Sequence, residues 1–139
     1  MHKAFVDTAA WLALINVVEH QLHEHAQRVM TELRGQQTCL VTTEFVLLEV
    51  ADALSDPILR PHTVRFIDGL RQLPLLRILP ASKDLLADGW RLYRQRLDKD
   101  WGLTDCTSFV IMTRERITQA FTSDRHFEQA GFVKLLPYH

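Results

Sequence analysis

A chain of 139 residues suits one domain and is long enough for a single real core. Its 47% hydrophobic and 24% charged residues are those of an ordinary soluble globular protein. Sixteen Lys+Arg against seventeen Asp+Glu leave a formal charge of −1, which excludes a global basic field, so any RNA or DNA contact needs a local patch or a metal.

Lys3-Ala4-Phe5-Val6 is short and apolar and predicts a buried strand. The apolar patch there is too short for a signal peptide, and no run approaches the ~18 apolar residues of a membrane span. With Cys39 and Cys106 showing neither metal-type spacing nor a redox pair, two buried free thiols in a cytoplasmic protein are expected. Residues 8–17 predict a helix capped by Asp7 or Thr8. From His20 to Arg34, the steps among Leu22, Ala26, Val29, Met30 and Leu33 predict a second helix, ended by Gly35. Residues 38–41 predict a strand followed directly by a helix from about Thr43 to Leu54.

Asp56-Pro57 and Arg60-Pro61 break the chain, and Val64, Phe66, Ile67 and Leu70 mark a helix from about His62 to Leu73. Leu75 to Leu79, between Pro74 and Pro80, predicts a third strand, and Ser82 caps a long helix to about Leu97. Asp98-Lys99-Asp100-Trp101-Gly102 is a loop. Thr104 to Arg116 is apolar nearly all round, which predicts a central, buried helix. Residues 119–122 predict a fourth strand, Asp124 to Ala130 a short helix, and Val133 to Leu136 a last strand. This alternation predicts an α/β fold, a mostly parallel sheet sandwiched by helices with right-handed crossovers. Strand order is not written in such a pattern.

Four acids stand out. Asp7, Glu49, Asp105 and Asp124 lie far apart in sequence, each at or just beyond a short apolar run. If the first, second and fourth runs are parallel strands, their carboxyl ends share one edge, where open α/β sheets place ligands. Acids gathered there repel one another unless a divalent cation joins them. Asp7, Asp105 and Asp124 each also suit a helix N-cap, where the charge complements the helix dipole.

Glu49 lies near mid-helix. At about 100° per residue, it falls about 60° beyond the polar arc of Glu44, Asp52 and Ser55, between Phe45 and Ala53. It is therefore expected to project from the apolar side, where a lone carboxylate must be paired, protonated or metal-bound. An all-oxygen donor set suits Mg²⁺ or Mn²⁺ over Zn²⁺. Thr104, Thr122 and Ser123 lie beside two of the acids and either orient a carboxylate or water, or serve as turn and cap hydroxyls.

These stretches resemble the PIN-domain ribonucleases, especially toxins of VapC type, over nearly the whole chain. Phe5-Val6-Asp7-Thr8 looks like the family's opening strand and first acid. Leu40 to Val50 is similar to its second motif, with Glu49 as the acid. Asp100-Trp101-Gly102-Leu103-Thr104-Asp105-Cys106-Thr107-Ser108-Phe109 is the most specific stretch, and Thr122-Ser123-Asp124-Arg125-His126-Phe127 looks like the motif carrying the fourth acid.

The resemblance implies one PIN-like three-layer sandwich over residues 1–139. It implies a metal-dependent endoribonuclease in which Asp7, Glu49 and Asp105 gather Mg²⁺ or Mn²⁺, with Asp124 completing the set and Thr122 as the small hydroxyl residue beside it. It further implies an RNA substrate, an antitoxin partner, a homodimer and no membrane association. A domain of this kind that binds RNA or protein without turnover is the alternative. His20, His23 and His25 do not share one helical face and read as surface. Trp11, Trp90 and Trp101 read as core or interface aromatics.

Overall fold

The computed structural model describes residues 2–137. In chain order its elements are β1 (Lys3–Val6), α1 (Thr8–Ile15), α2 (His20–Gly35), β2 (Cys39–Thr43), α3 (Glu44–Ala53), α4 (Arg60–Leu70) and β3 (Leu76–Leu79). They continue with α5 (Lys83–Gln95), α6 (Leu103–Arg114), β4 (Gln119–Phe121), α7 (Arg125–Gln129) and β5 (Val133–Lys134). Among the described residues the strands form one five-stranded sheet of order β3-β2-β1-β4-β5, parallel throughout. Helices flank it, as the alternation of short strands and helices predicts.

The three middle strands are mostly apolar, as strands covered on both faces are: every residue of β2 is buried, as are Ala4, Phe5 and Val6 of β1 and Ala120 and Phe121 of β4. The register Val6↔Phe121 sets Asp7 beside Thr122, and the Asp7 N–H donates to the Phe121 carbonyl at 3.1 Å. From β1 the chain builds outward to β2 and β3, then returns to place β4 on the other side of β1. The carboxyl ends of β1 and β4 are therefore a topological switch point, where such sheets leave a crevice.

The elements fall where the pattern puts them, with shifted ends: β2 runs to Thr43 and not 41, α4 ends at Leu70 short of Leu73, and α5 and α6 end at Gln95 and Arg114, short of Leu97 and Arg116. α1 stops at Ile15, leaving Val17 and Val18 exposed. α4 starts at Arg60 with Pro61 in its first turn, so Arg60-Pro61 opens this helix instead of breaking the chain. Proline's missing N–H costs nothing there. β5 holds two residues, not four, although the chain stays beside β4: the Leu135 N–H donates to the Ala120 carbonyl at 2.9 Å and the Leu136 N–H to that of Thr122 at 3.1 Å.

Hydroxyl caps fix other boundaries. Thr43 accepts the Val46 N–H at 3.1 Å, and Ser82 accepts the Leu85 N–H at 3.0 Å. α6 is the buried helix foreseen, with Cys106, Phe109 and Met112 within the core. α5 lies close against it at Gly89. A Cβ at that position would fall 2.5 Å from Thr107 Cγ2 and 3.2 Å from the Thr107 Cα, so any other residue displaces the Thr107 methyl and presses on the α6 backbone. Behind α7, Phe127 is fully buried, its ring 6.5 Å from Phe5 and 4.9 Å from Phe109. No helix among the described residues is long and apolar enough to cross a membrane.

Candidate active site

Asp7 follows the last residue of β1 and is only 3% exposed. It stands at the N-cap of α1, yet makes no side-chain capping hydrogen bond. Its Oδ2 accepts from Thr122 Oγ1 at 2.8 Å, while Oδ1 is buried without any hydrogen-bond partner. Burial first, then the nearby charge of Asp105, pushes this carboxyl up from 3.8 to about 7. The reading of Asp7 as a plain helix cap therefore fails.

Thr122 links two of the acids. Besides donating to Asp7, its Oγ1 accepts the Asp124 N–H at 3.1 Å, and the residue is fully buried. Asp124 then caps α7, its Oδ1 accepting the His126 N–H at 2.9 Å. Asp105 occupies the first turn of α6, and its Oδ2 accepts the Gly102 N–H at 3.2 Å. Asp124 is the N-cap expected of a junctional acid, whereas Asp105 is the third residue of α6 and reaches back to the N-cap Gly102. Burial and then Asp124 raise the Asp105 pKa, partly opposed by a hydrogen bond from His126.

His126, to which the sequence pattern assigns no role, is at the centre of this cluster. Its Nδ1 lies 3.1 Å from Asp105 Oδ2 and 3.4 Å from Asp124 Oδ1, and its Nε2 lies 3.2 Å from Asp100 Oδ1. One ligand atom from each of Asp105, Asp124 and His126 falls within 4.8 Å of the others. The available clue was its position two residues after Asp124, in the first turn of a helix leaving the same strand end. The loop residue Asp100 joins through this imidazole.

Glu49 is a correction. It is exposed, not on a buried face of α3, and Val46, Leu47 and Val50 form the buried side. The helical wheel took neighbouring apolar residues as marking the core, but Leu48 is itself 58% exposed. What ties Glu49 to the others is Thr8, whose Oγ1 donates to its Oε1 at 2.6 Å. Thr8 is buried and directly follows Asp7, so one hydroxyl reaches from the first acid's segment to the second acid.

The hydroxyl neighbours divide as well. Thr104 offers its carbonyl to Thr107 Oγ1 at 2.6 Å and Ser108 Oγ at 3.1 Å. Among the described residues, neither the Thr104 nor the Ser123 hydroxyl makes a hydrogen bond. Trp101 is buried against Phe109 at 5.0 Å, with the Arg96 guanidinium 5.0 Å from its ring centroid. Cys39 and Cys106 are free, buried thiols, as expected.

Comparison with known proteins gives concordant likenesses. The family model for the PIN domain matches residues 4–133. The 23S rRNA-specific endonuclease VapC20 of Mycobacterium tuberculosis is 27% identical over 133 residues, spanning 96% of this chain and 98% of that protein. The crystal structure of M. tuberculosis VapC20, described as a sarcin-ricin loop cleaving toxin, superimposes with a TM-score of 0.79 at 27% identity, covering 94% of this chain and 96% of that one. The fold is shared with FitAcB of Neisseria gonorrhoeae, with a TM-score of 0.68 at 18% identity and coverage of 98% and 99%.

Proposed function

We propose, from the premise that this chain belongs to the PIN-domain family, that it is a metal-dependent endoribonuclease and the toxin of a toxin–antitoxin pair. Likeness to VapC20 over nearly the full length of both chains supports that reading and makes 23S rRNA the first substrate to test. The family match over residues 4–133 supports treating residues 1–139 as one PIN-like domain. Two free buried thiols are consistent with action in a reducing cytoplasm.

The observation that carries the chemistry is the Oδ1 of Asp7, a buried carboxylate oxygen with no hydrogen-bond partner. Leaving such an atom unmatched is costly, and a cation resolves the cost. The charges of Asp105 and Asp124 push the Asp7 carboxyl up, and that of Asp124 pushes Asp105 up, which points the same way. These donors fit Mg²⁺ or Mn²⁺, held by Asp7, Asp105 and Asp124 with Glu49 at the rim. Such an ion supplies activation of a water and neutralisation of charge on the scissile phosphate.

The chain's own residues prepare that site. Thr122 holds Asp7 by one oxygen and leaves the other open. Gly102 N–H and the first turn of α6 fix Asp105, and the α7 cap fixes Asp124. Thr8 turns the exposed Glu49 toward the strand edge. Without a bound cation this edge repels the RNA backbone, so loading precedes substrate binding in a protein of net charge −1.

Asp105→Asn tests the reading. An asparagine oxygen still accepts the Gly102 N–H, so the helix start survives while one negative charge disappears. Mg²⁺- or Mn²⁺-dependent cleavage, read as new RNA ends by sequencing, is expected to fall at least about a hundredfold. Circular dichroism should be unchanged. Undiminished cleavage by this variant sinks the mechanism; a gel shift by wild type with no new ends points to binding without turnover.

Thr8→Val gives a subtler effect. Removing the hydroxyl frees Glu49, and cleavage is expected to drop roughly tenfold, since a hydrogen bond to a charged group contributes about 1.5–3 kcal/mol. Thr8→Ser should restore most of it. Equal rates for all three proteins would remove Thr8 from the argument.

A further inference from the structure

We infer that His126 is a nitrogen ligand in this acidic pocket, oriented by Asp100, and that it biases the site from Mg²⁺ toward a first-row transition ion such as Mn²⁺. The inference rests on the proposed reading of the pocket as a metal centre and adds a donor of a different chemical kind to it.

The geometry is that of a ligand with its support. Nδ1 of His126 faces Asp105 Oδ2 at 3.1 Å and Asp124 Oδ1 at 3.4 Å, and the three atoms fall in a group compact enough for one ion. The opposite ring nitrogen, Nε2, faces Asp100 Oδ1 at 3.2 Å. A metal-bound histidine almost always gives its second nitrogen to a carboxylate or carbonyl, which fixes the ring and its tautomer. The Asp100 side chain is 71% exposed and that of His126 18%, so the supporting acid lies on the solvent side and the imidazole on the pocket side. α7 enforces the arrangement. Asp124 caps the helix through the His126 N–H, and buried Phe127 anchors the next position.

A cluster of acids alone would not identify a ligand site. The independent observation is Asp7, which directly follows β1 at the strand edge, is 3% exposed and keeps an unpartnered Oδ1. Thr122 Oγ1 donates to its other oxygen at 2.8 Å and accepts the Asp124 N–H at 3.1 Å, so the open oxygen lies beside the same cluster. Mg²⁺ takes oxygen donors and gives up its waters reluctantly. An imidazole nitrogen is a good ligand for transition ions and a poor one for Mg²⁺, so adding it separates ions that an all-carboxylate set treats alike.

The test uses the purified full chain with Mn²⁺ alone and needs no RNA. Pulsed electron paramagnetic resonance of the bound Mn²⁺ is expected to show modulation from an imidazole ¹⁴N, and His126→Gln is expected to lose it. Direct titration should find the Mn²⁺ Kd raised about 10- to 100-fold in His126→Gln, and in the same direction in Asp100→Ala, with the Mg²⁺ Kd much less affected. The wild-type spectrum stands without any variant, and Asp100→Ala changes an exposed side chain, so poor folding of His126→Gln leaves both readouts. Mn²⁺ bound without nitrogen coupling overturns His126 as a ligand and leaves the carboxylate centre standing. Nitrogen coupling that persists in His126→Gln assigns it to another histidine and overturns the inference equally. No Mn²⁺ binding at all overturns the metal-centre reading along with it.

Discussion

Asp7→Asn is expected to abolish divalent-cation-dependent RNA cleavage and, in the metal-free protein, to increase stability at pH 8. The second half follows from the carboxyl's position at about 7, pushed up from 3.8 chiefly by burial and then by Asp105. For an acid raised in the folded state, the native protein holds its proton more tightly than the unfolded chain. Its contribution is neutral to folding below about pH 4, and stability falls as pH climbs through the interval to about 7. A displacement of about three pH units corresponds to about 4 kcal/mol lost at pH 8.

Asparagine removes that loss and keeps an oxygen for the Thr122 hydroxyl, but turns an amide toward the place of the unpartnered Oδ1. That unsatisfied donor costs about 1–3 kcal/mol, leaving a net gain of roughly 1–3 kcal/mol at pH 8. At pH 4 the advantage vanishes or reverses. Urea unfolding with a chelator at pH 4, 6 and 8 reads this directly, and a wild type as stable as the variant at pH 8 would contradict the account. Added Mn²⁺ should stabilise wild type and leave the variant nearly unmoved, because only a protein that binds the ion in its native state gains from it.

Phe127→Ala is expected to have the largest structural effect. The ring is fully buried between Phe5 of β1 and Phe109 of α6, and truncating such a side chain costs about 3–5 kcal/mol. It also removes what holds the five-residue α7, the carrier of Asp124 and His126, against the first acid's strand. Single-turnover cleavage at low temperature should therefore fall further than the unfolded fraction explains. A rate that tracks the unfolded fraction alone would show that α7 keeps its place without the ring.

What could be read from the chain depended on whether local chemistry or long-range packing decided the point. β1, α3, α5 and α6 announce themselves through apolar period and caps such as Ser82, and the acids at strand ends follow from that reading. Pro61 misled because the same residue that breaks a helix interior is favoured at its first turn. Glu49 misled because a wheel assigns faces from composition, while Leu48 shows that an apolar residue beside it can face solvent. His126 was invisible for another reason. Asp100, Asp105 and Asp124 come to it from a loop, a helix and a strand end, and only the sheet order brings those together.

Gly89 gives the site a mechanical dimension. The helix that carries Asp105 rests at Thr107, two residues further on, in a notch on α5 that has no room for one more carbon. α5 is thus a stop that sets how far α6 advances toward the strand edge, and the depth of that notch is a length calibration for the pocket. Misplacing a reacting group by an ångström costs about a hundredfold in rate. The tolerance of the chemistry is therefore machined into a contact between two helices, one of which carries none of the four acids.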